Sequence, residues 1–212
     1  MPSHANFKTR LDASSYHAPG GGKAYDSLRA AIVSQATAMG CDTATMTEHG
    51  VTWADDQDPF GHIKFHAFPH FSAVTNVRLF ESFEQQLGDK CDDLLKARGI
   101  GVIGKNLNVE FKRPVSYPDA ILVALRITEV KPDRYCVTTS MWSMRDQALV
   151  AEISGCVVFF DYRTAKVANL IQAGGVYRDL YNALSAKAER SNALFQKWKQ
   201  DDLEKKKSNA KL

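Results

Sequence analysis

Residues 51–62 read VTWADDQDPFGH, with Asp55, Asp56 and Asp58 followed at once by a proline, a glycine and His62. A carboxylate held on a rigid turn can take a proton from water or attack an acyl carbon itself. Base catalysis of this kind is worth ~10²–10⁴-fold in rate. Asp58, next to Pro59, is the candidate for that work. Asp55 and Asp56 read instead as acceptors for backbone N–H groups of the loop. The competing reading of Asp58 is the same turn-shaping role, common for aspartate in such turns. His62 could orient the loop or a substrate through a hydrogen bond. Gly61 could let the backbone approach a substrate closely.

His62, His66 and His70 recur at every fourth residue, a spacing that could present three imidazoles to a zinc ion from one helical face. Pro69 falls inside that span, where it would kink or end a helix. No metal is therefore expected.

The elements around this loop follow from periodicity. Residues 1–22 read as a poorly ordered leader ending at Pro19-Gly20-Gly21-Gly22. Apolar residues recur at helical spacing over 24–39, and Gly40 supplies a stop. Residues 47–53 read as a strand entering the acidic loop. Beyond it, Val74, Val77, Phe80, Phe83 and Leu87 form a helical stripe closed by Gly88, and a shorter helical piece spans 90–98. The pattern then changes to period two with branched residues. Four strands are predicted at 100–111, 120–130, 134–144 and 149–160, and their short turn-rich connectors imply an antiparallel meander. A long helix over 177–207 ends in the lysine run 205–207, read as a solvated helix end. Together this is an α+β chain: a leader (1–22), a main domain with its N-terminal helix (23–175) and a charged C-terminal helix (176–212).

Composition narrows the classes. With 212 residues, 44% hydrophobic and 24% charged, the chain suits one globular domain. A net charge of +3 gives no argument for nucleic acid. The four cysteines contain no CxxC pair, which excludes zinc-ribbon and redox-motif readings. Cys136 and Cys156 read as free thiols packed like small hydrophobes, pointing to a reducing compartment. No run reaches the ~18 apolar residues of a membrane span, and the N-terminus lacks the apolar core of a secretory signal. A cytoplasmic location is expected. Lys8, Arg10, Lys23 and Arg29 among serines make a mitochondrial presequence the alternative. Trp53, Trp142 and the pair Phe159-Phe160 read as core or dimer-interface residues.

A strand, an Asp-x-Asp-x-x-Gly-His loop, a buried helix and consecutive antiparallel strands resemble the hotdog-fold thioesterases. The likeness is to the 4-hydroxybenzoyl-CoA thioesterase-like and acyl-carrier-protein thioesterase-like branch. Asp56 to Ile63 stand for the loop, Val109 to Asp119 for a strand and turn after the central helix, and Val150 to Asp161 for the last core strand. The resemblance implies an antiparallel sheet wrapped round a central helix, with helical extensions at both ends here. It implies hydrolysis of an acyl-CoA or acyl-carrier-protein thioester, a homodimer or dimer of dimers, and no cofactor or metal. Asp58 takes the catalytic position, and backbone N–H groups of Gly61 to Ile63 would hold the oxyanion. Asn76 matches a loop-positioning asparagine. Glu81 stands where some branches carry a helix carboxylate, although salt-bridge pairing is the plainer expectation. Between Ile63 and Asn76 the chain carries an excess of about eight residues, as in a loop insertion. That insertion is the main support for a non-catalytic acyl-binding or scaffold protein. A hotdog hydratase or dehydratase would prefer asparagine at position 58 and a shorter step from proline to histidine.

Overall fold

Alternating branched residues over 100–160 fold into four long strands, and the apolar segment before them folds into the helix they enclose. The computed structural model describes residues 25–209, so the expected leader lies outside the described residues. The elements are α1 (Asp26–Ala38), β1 (Thr47–Gly50), α2 (Trp53–Asp56), α3 (Ala67–Glu81), α4 (Glu84–Leu87) and α5 (Lys90–Leu95). There follow β2 (Ile100–Phe111), β3 (Ala120–Lys131), β4 (Arg134–Ser143), β5 (Ala148–Asp161), β6 (Lys166–Val167), α6 (Leu170–Ala173) and α7 (Gly175–Asn209).

The sheet is antiparallel, in the order β1-β3-β4-β5-β2, with β6 added to β5. Only β3, β4 and β5 form the expected meander. β2 pairs with β5 rather than with its successor β3, because the chain between them is no tight turn. That connection holds the acidic loop instead: the carbonyl of Val115 accepts from Ile63 N–H, and Tyr117 N–H donates to Gln57 Oε1. β1 covers only part of the other edge, its pairing with β3 running no further along β3 than Thr47↔Val123. Past that point α7 takes over, and Asn192 Nδ2 donates to the Thr128 carbonyl at 3.1 Å.

The curl of the sheet encloses α3. Phe68 and Phe71 pack with Ile121, Met141 and Ile153, while Leu79 and Phe80 pack with Leu125, Ile127 and Phe159. Each fully buried side chain of this size stabilises the fold by about 1.5–3 kcal/mol. The buried stripe runs Phe68, Phe71, Ser72, Thr75, Leu79, so the stripe expected from Val74 and Val77 is out of phase; Val77 is 43% exposed. Hydroxyls occupy core positions here because they find partners. Ser72 Oγ donates to Thr139 Oγ1, and Thr75 Oγ1 donates to the Phe71 carbonyl and shares a hydrogen bond with Thr47 Oγ1. Pro69 does not stop the helix. It lies in the first turn, where no intrahelical partner awaits an N–H. The segment read as an inserted loop is largely the start of α3. The same helix ends at Glu81, and the residues expected to prolong it form the separate turn α4.

Two other expectations are corrected. The entering strand stops at Gly50, and Trp53–Asp56 is one helical turn, stabilised where Asp56 Oδ2 accepts from Thr52 N–H and Oγ1. Trp53 is accordingly 62% exposed, whereas Trp142 is fully buried. Cys136 and Cys156 are not free thiols: they face each other across β4 and β5 and form a disulfide. Cys41 and Cys91 are the buried free thiols among the described residues, and burial pushes the Cys41 thiol up to about 12.

Asp119 is fully buried where the connection enters β3. Its carboxylate accepts from Ser143 Oγ at 2.5 Å and from the N–H groups of Ala120 and Arg145. Burial pushes its carboxyl up to about 6, against the pull of those bonds. The folded state therefore binds this proton more tightly than the unfolded chain, whose carboxyl titrates near 3.8. The resulting stability is complete below about pH 3.8 and is lost as pH rises through about 6. Against Asp119→Asn, which cannot titrate, the wild type should lose about 2–3 kcal/mol between about pH 4 and pH 8. Thermal unfolding of both proteins across that range checks this, and a difference independent of pH would contradict it.

Candidate active site

The acidic loop is a closed turn pinned at both sides. Asp58 N–H donates to the His62 carbonyl at 2.8 Å, and Gly61 N–H to the Asp58 carbonyl at 3.1 Å. Gly61 has φ of +81°, and a Cβ there would meet open space. Backbone torsion rather than crowding demands glycine at this point. Gln57 and Ile63 form an isolated antiparallel bridge at the loop's base, and Ile63 itself is buried. The adjoining Lys64 N–H donates to the Asp56 carbonyl.

Asp58 is half-buried within this turn. Its Oδ1 accepts from Phe60 N–H at 2.8 Å and from His62 N–H at 3.0 Å. Its Oδ2 makes no hydrogen bond among the described residues. One oxygen thus fixes the carboxylate while the other stays open to a reactant. The side chain of His62 is exposed, and the residue contributes its backbone rather than its ring to the turn.

The N–H groups of Gly61, His62 and Ile63 cannot serve as the expected oxyanion donors. Each already donates, to the Asp58 carbonyl, the Asp58 carboxylate and the Val115 carbonyl. The N–H groups of Phe65 and His66, just before α3, have no such acceptor among the described residues. They lie at the positive end of the helix dipole, where a developing negative charge is stabilised. Sequence reading missed them because the segment looked like an insertion.

Two of the expected supporting residues lie away from the loop. Asn76 is on α3 and accepts from the Tyr135 hydroxyl at 2.8 Å, supporting a buried phenol whose pKa burial raises. Glu81 is the last residue of α3, about 20 Å along the helix from its start, and pairs with Arg78 at 2.7 Å. His66 directly precedes α3 without a side-chain bond to it, and His70 is exposed in its first turn. No cluster of three metal-binding side chains occurs among the described residues. A histidine that the motif did not single out lies beside the site: His49 stacks on Phe71 at 4.5 Å and meets Thr47 Oγ1 at 3.0 Å. Burial, and then the neighbouring His70, lower its pKa to about 4 and keep it neutral.

Around the loop the aromatic side chains of Trp53, Phe60 and Phe65 are 62%, 83% and 72% exposed. Beside α3 a cleft of about 220 Å³ opens between the helix and β2, β4 and β5, lined by Pro69, Ala73, Val102, Leu107, Ile153 and Val157 among others. A positioned carboxylate, free N–H groups at a helix start and an apolar cleft along that helix are the parts that acyl transfer needs. Replacing Asp58 with alanine should cost about 1 kcal/mol through the loss of two acceptor contacts. Asp58→Asn, which keeps Oδ1, should cost less. Chemical denaturation of the two variants measures the difference.

Residues 51–178 match the model of the thioesterase-like superfamily. No match was found among curated proteins. Among solved structures the chain is similar to a DHNA-CoA thioesterase from Staphylococcus aureus. They share 19% identity and a TM-score of 0.56, over 70% of this chain and 92% of the other. It is also similar to a thioesterase from Thermus thermophilus complexed with coenzyme A and Zn. That pair shows 17% identity and a TM-score of 0.52, over 66% and 93% of the two chains. A hypothetical protein from S. aureus in complex with CoA gives 11% identity and 0.55, over 69% and 84%. At these identities the likeness establishes the fold, a hotdog with a long C-terminal helix. No helix among the described residues is long and apolar enough to cross a membrane.

Proposed function

The chain belongs to the thioesterase-like superfamily, and from that premise we propose that it hydrolyses an acyl-CoA thioester with Asp58 as the catalytic carboxylate. The observation that carries this reading is the division of labour on Asp58: Oδ1 is tied to two backbone N–H groups and Oδ2 is open. Oδ2 takes a proton from water, whose oxygen attacks the thioester carbon, or attacks that carbon itself. The carbonyl electron pair moves to oxygen, beside the N–H groups of Phe65 and His66. On collapse the C–S bond breaks, its pair stays on sulfur, and the thiolate is protonated. When water is the nucleophile the free acid forms at once; when Oδ2 attacks, an acyl anhydride is left on Asp58, and water hydrolyses it to the free acid and restores the carboxylate.

The cleft beside α3 suits the acyl group. At about 220 Å³ it is smaller than the ~300–1,000 Å³ of pockets that enclose drug-sized ligands. The nucleotide end of coenzyme A therefore stays outside it. Asp58→Asn should lower kcat by at least ~10²-fold with the fold retained. A thiol-release assay over a panel of acyl-CoA chain lengths, with circular dichroism as control, tests this. Full residual activity in the variant would rule out Asp58, and tight acyl-CoA binding without thiol release at any chain length would favour an acyl-binding protein.

The working unit in this reading is a homodimer. β2 is an outer strand with nothing on its far edge among the described residues, and Ile103, Leu107 and Phe111 are 37%, 56% and 50% exposed along it. An open apolar edge of this length is one that proteins usually pair or cover. A second copy laid along β2 would bury it. Sedimentation should report a dimer, and the double substitution Ile103→Arg with Leu107→Arg should shift it to monomer. A monomeric wild type at micromolar concentration would contradict the proposal.

A further inference from the structure

A second cavity, of about 310 Å³, lies on the other side of the molecule from the β2 edge, where β1 stops short and α7 crosses β3. Its walls come from β3, the start of the segment after α1, and α7. Most of that wall lies outside residues 51–178: Gly40 to Thr45 precede the superfamily match, and Lys187 to Leu194 follow it. The family fold alone does not build this pocket.

Its charge is unbalanced. Arg126, Lys187 and Arg190 line it, against the single carboxylate of Asp42. Lys187 is already engaged, bonding Asp42 Oδ2 at 2.5 Å and Ser82 Oγ at 3.1 Å. Burial works against an ionised Asp42, but the bonds from Lys187 and from Ala44 N–H outweigh it and hold the carboxyl below its usual range. Arg126 and Arg190 form no ion pair or hydrogen bond with any described residue. Arg126 is half-buried on β3 between two fully enclosed neighbours, Leu125 and Ile127, and stacks at 3.7 Å on the ring of Phe195. That contact holds the guanidinium over the ring, while its five N–H donors have no acceptor among the described residues. Burial lowers its pKa and outweighs the opposing field of Glu152, as for a cation held partly out of water without a bonded carboxylate.

The rest of the wall is mainly apolar, with Leu125, Ile127 and Leu194 among its residues, and its hydroxyls, Thr45 and Ser191, already donate to the Asp42 and Gly40 carbonyls. We infer that this pocket binds an amphipathic organic anion. A carboxylate or phosphate head would sit between Arg126 and Arg190, and a short apolar body would lie against Leu194, which is 46% exposed. A planar guanidinium with paired donors recognises such heads bidentately. Glu152, a carboxylate whose field reaches Arg126, is engaged by Ser140 and Lys112, so the protein does not supply the missing acceptor itself. The site is separate from Asp58 and its occupancy does not depend on the thioester reading.

Calorimetric titration of the full-length protein with octanoate, octyl phosphate, inorganic phosphate and octanol tests the site. Saturable binding of octanoate or octyl phosphate, at least tenfold tighter than of octanol and weakened by added salt, is expected. The preferred head distinguishes carboxylate from phosphate, and inorganic phosphate reports whether the apolar body is needed. Arg126→Met, which keeps an apolar stem on Phe195, and Arg190→Ala, at an exposed position, should each weaken binding at least tenfold. Asp58→Asn should leave it unchanged. No saturable binding of any anion to the wild type, or wild-type affinity in both arginine variants, would overturn the proposal. Loss of binding in Asp58→Asn would place the anion in the thioester site instead.

Discussion

Everything in this fold depends on burying one face of α3. The helix carries Phe68, Phe71, Leu79 and Phe80 on a single side, and no other element could cover such a stripe along its whole length. The sheet must therefore curl, and its concave residues from β3, β4 and β5 supply the matching surface. Because the strands run antiparallel and curl, β2 is left as an outer edge beside β5, and the connection from β2 to β3 passes the end of the sheet where the acidic loop lies. The loop is rigid for that reason. It is clamped between the start of the enclosed helix and a segment that the sheet itself holds in place.

The same burial sorts the polar groups. Those inside are neutral or fully bonded: hydroxyl pairs across α3 and the sheet, the Tyr135–Asn76 contact, an unprotonated His49, and Asp119 with three donors. An unpaired charge in that interior would cost several kcal/mol. Reactive charge is accordingly pushed to the margins. Asp58 sits in a turn at the mouth, and Arg126 sits at the gap where β1 ends, held by an aromatic ring rather than by an acid. Asp58 and Arg126 are charged groups that the structure positions firmly yet leaves incompletely satisfied. An incompletely satisfied, well-held polar group is what a ligand or a reactant can complete.

Much of this was legible from the residues in order. Period-two alternation located all four long strands, because neighbours in a strand face opposite sides whatever else the chain does. Glycines at 40, 61 and 88 marked reversals, since a positive φ is a local requirement. The acidic loop and its candidate, Asp58, stood out from residue types alone. The phase of α3 did not, because Ser72 and Thr75 look polar in sequence and become core residues only when Thr139, Thr47 and a backbone carbonyl arrive to bond them. Pro69 misled for a related reason: its cost depends on whether it falls in the first turn or later, and the helix start was hidden.

Sequence by itself determined the class of elements, their order and the family they belong to, since these follow from short-range patterns of side chains. Tertiary structure alone decided the pairings: β2 with β5, Cys136 with Cys156, Glu81 with Arg78 rather than with the loop, and which backbone N–H groups remain free for an oxyanion. Each of those involves a partner chosen by three-dimensional closure, and closure is governed by how the sheet curls around α3 and not by any local stretch of residues.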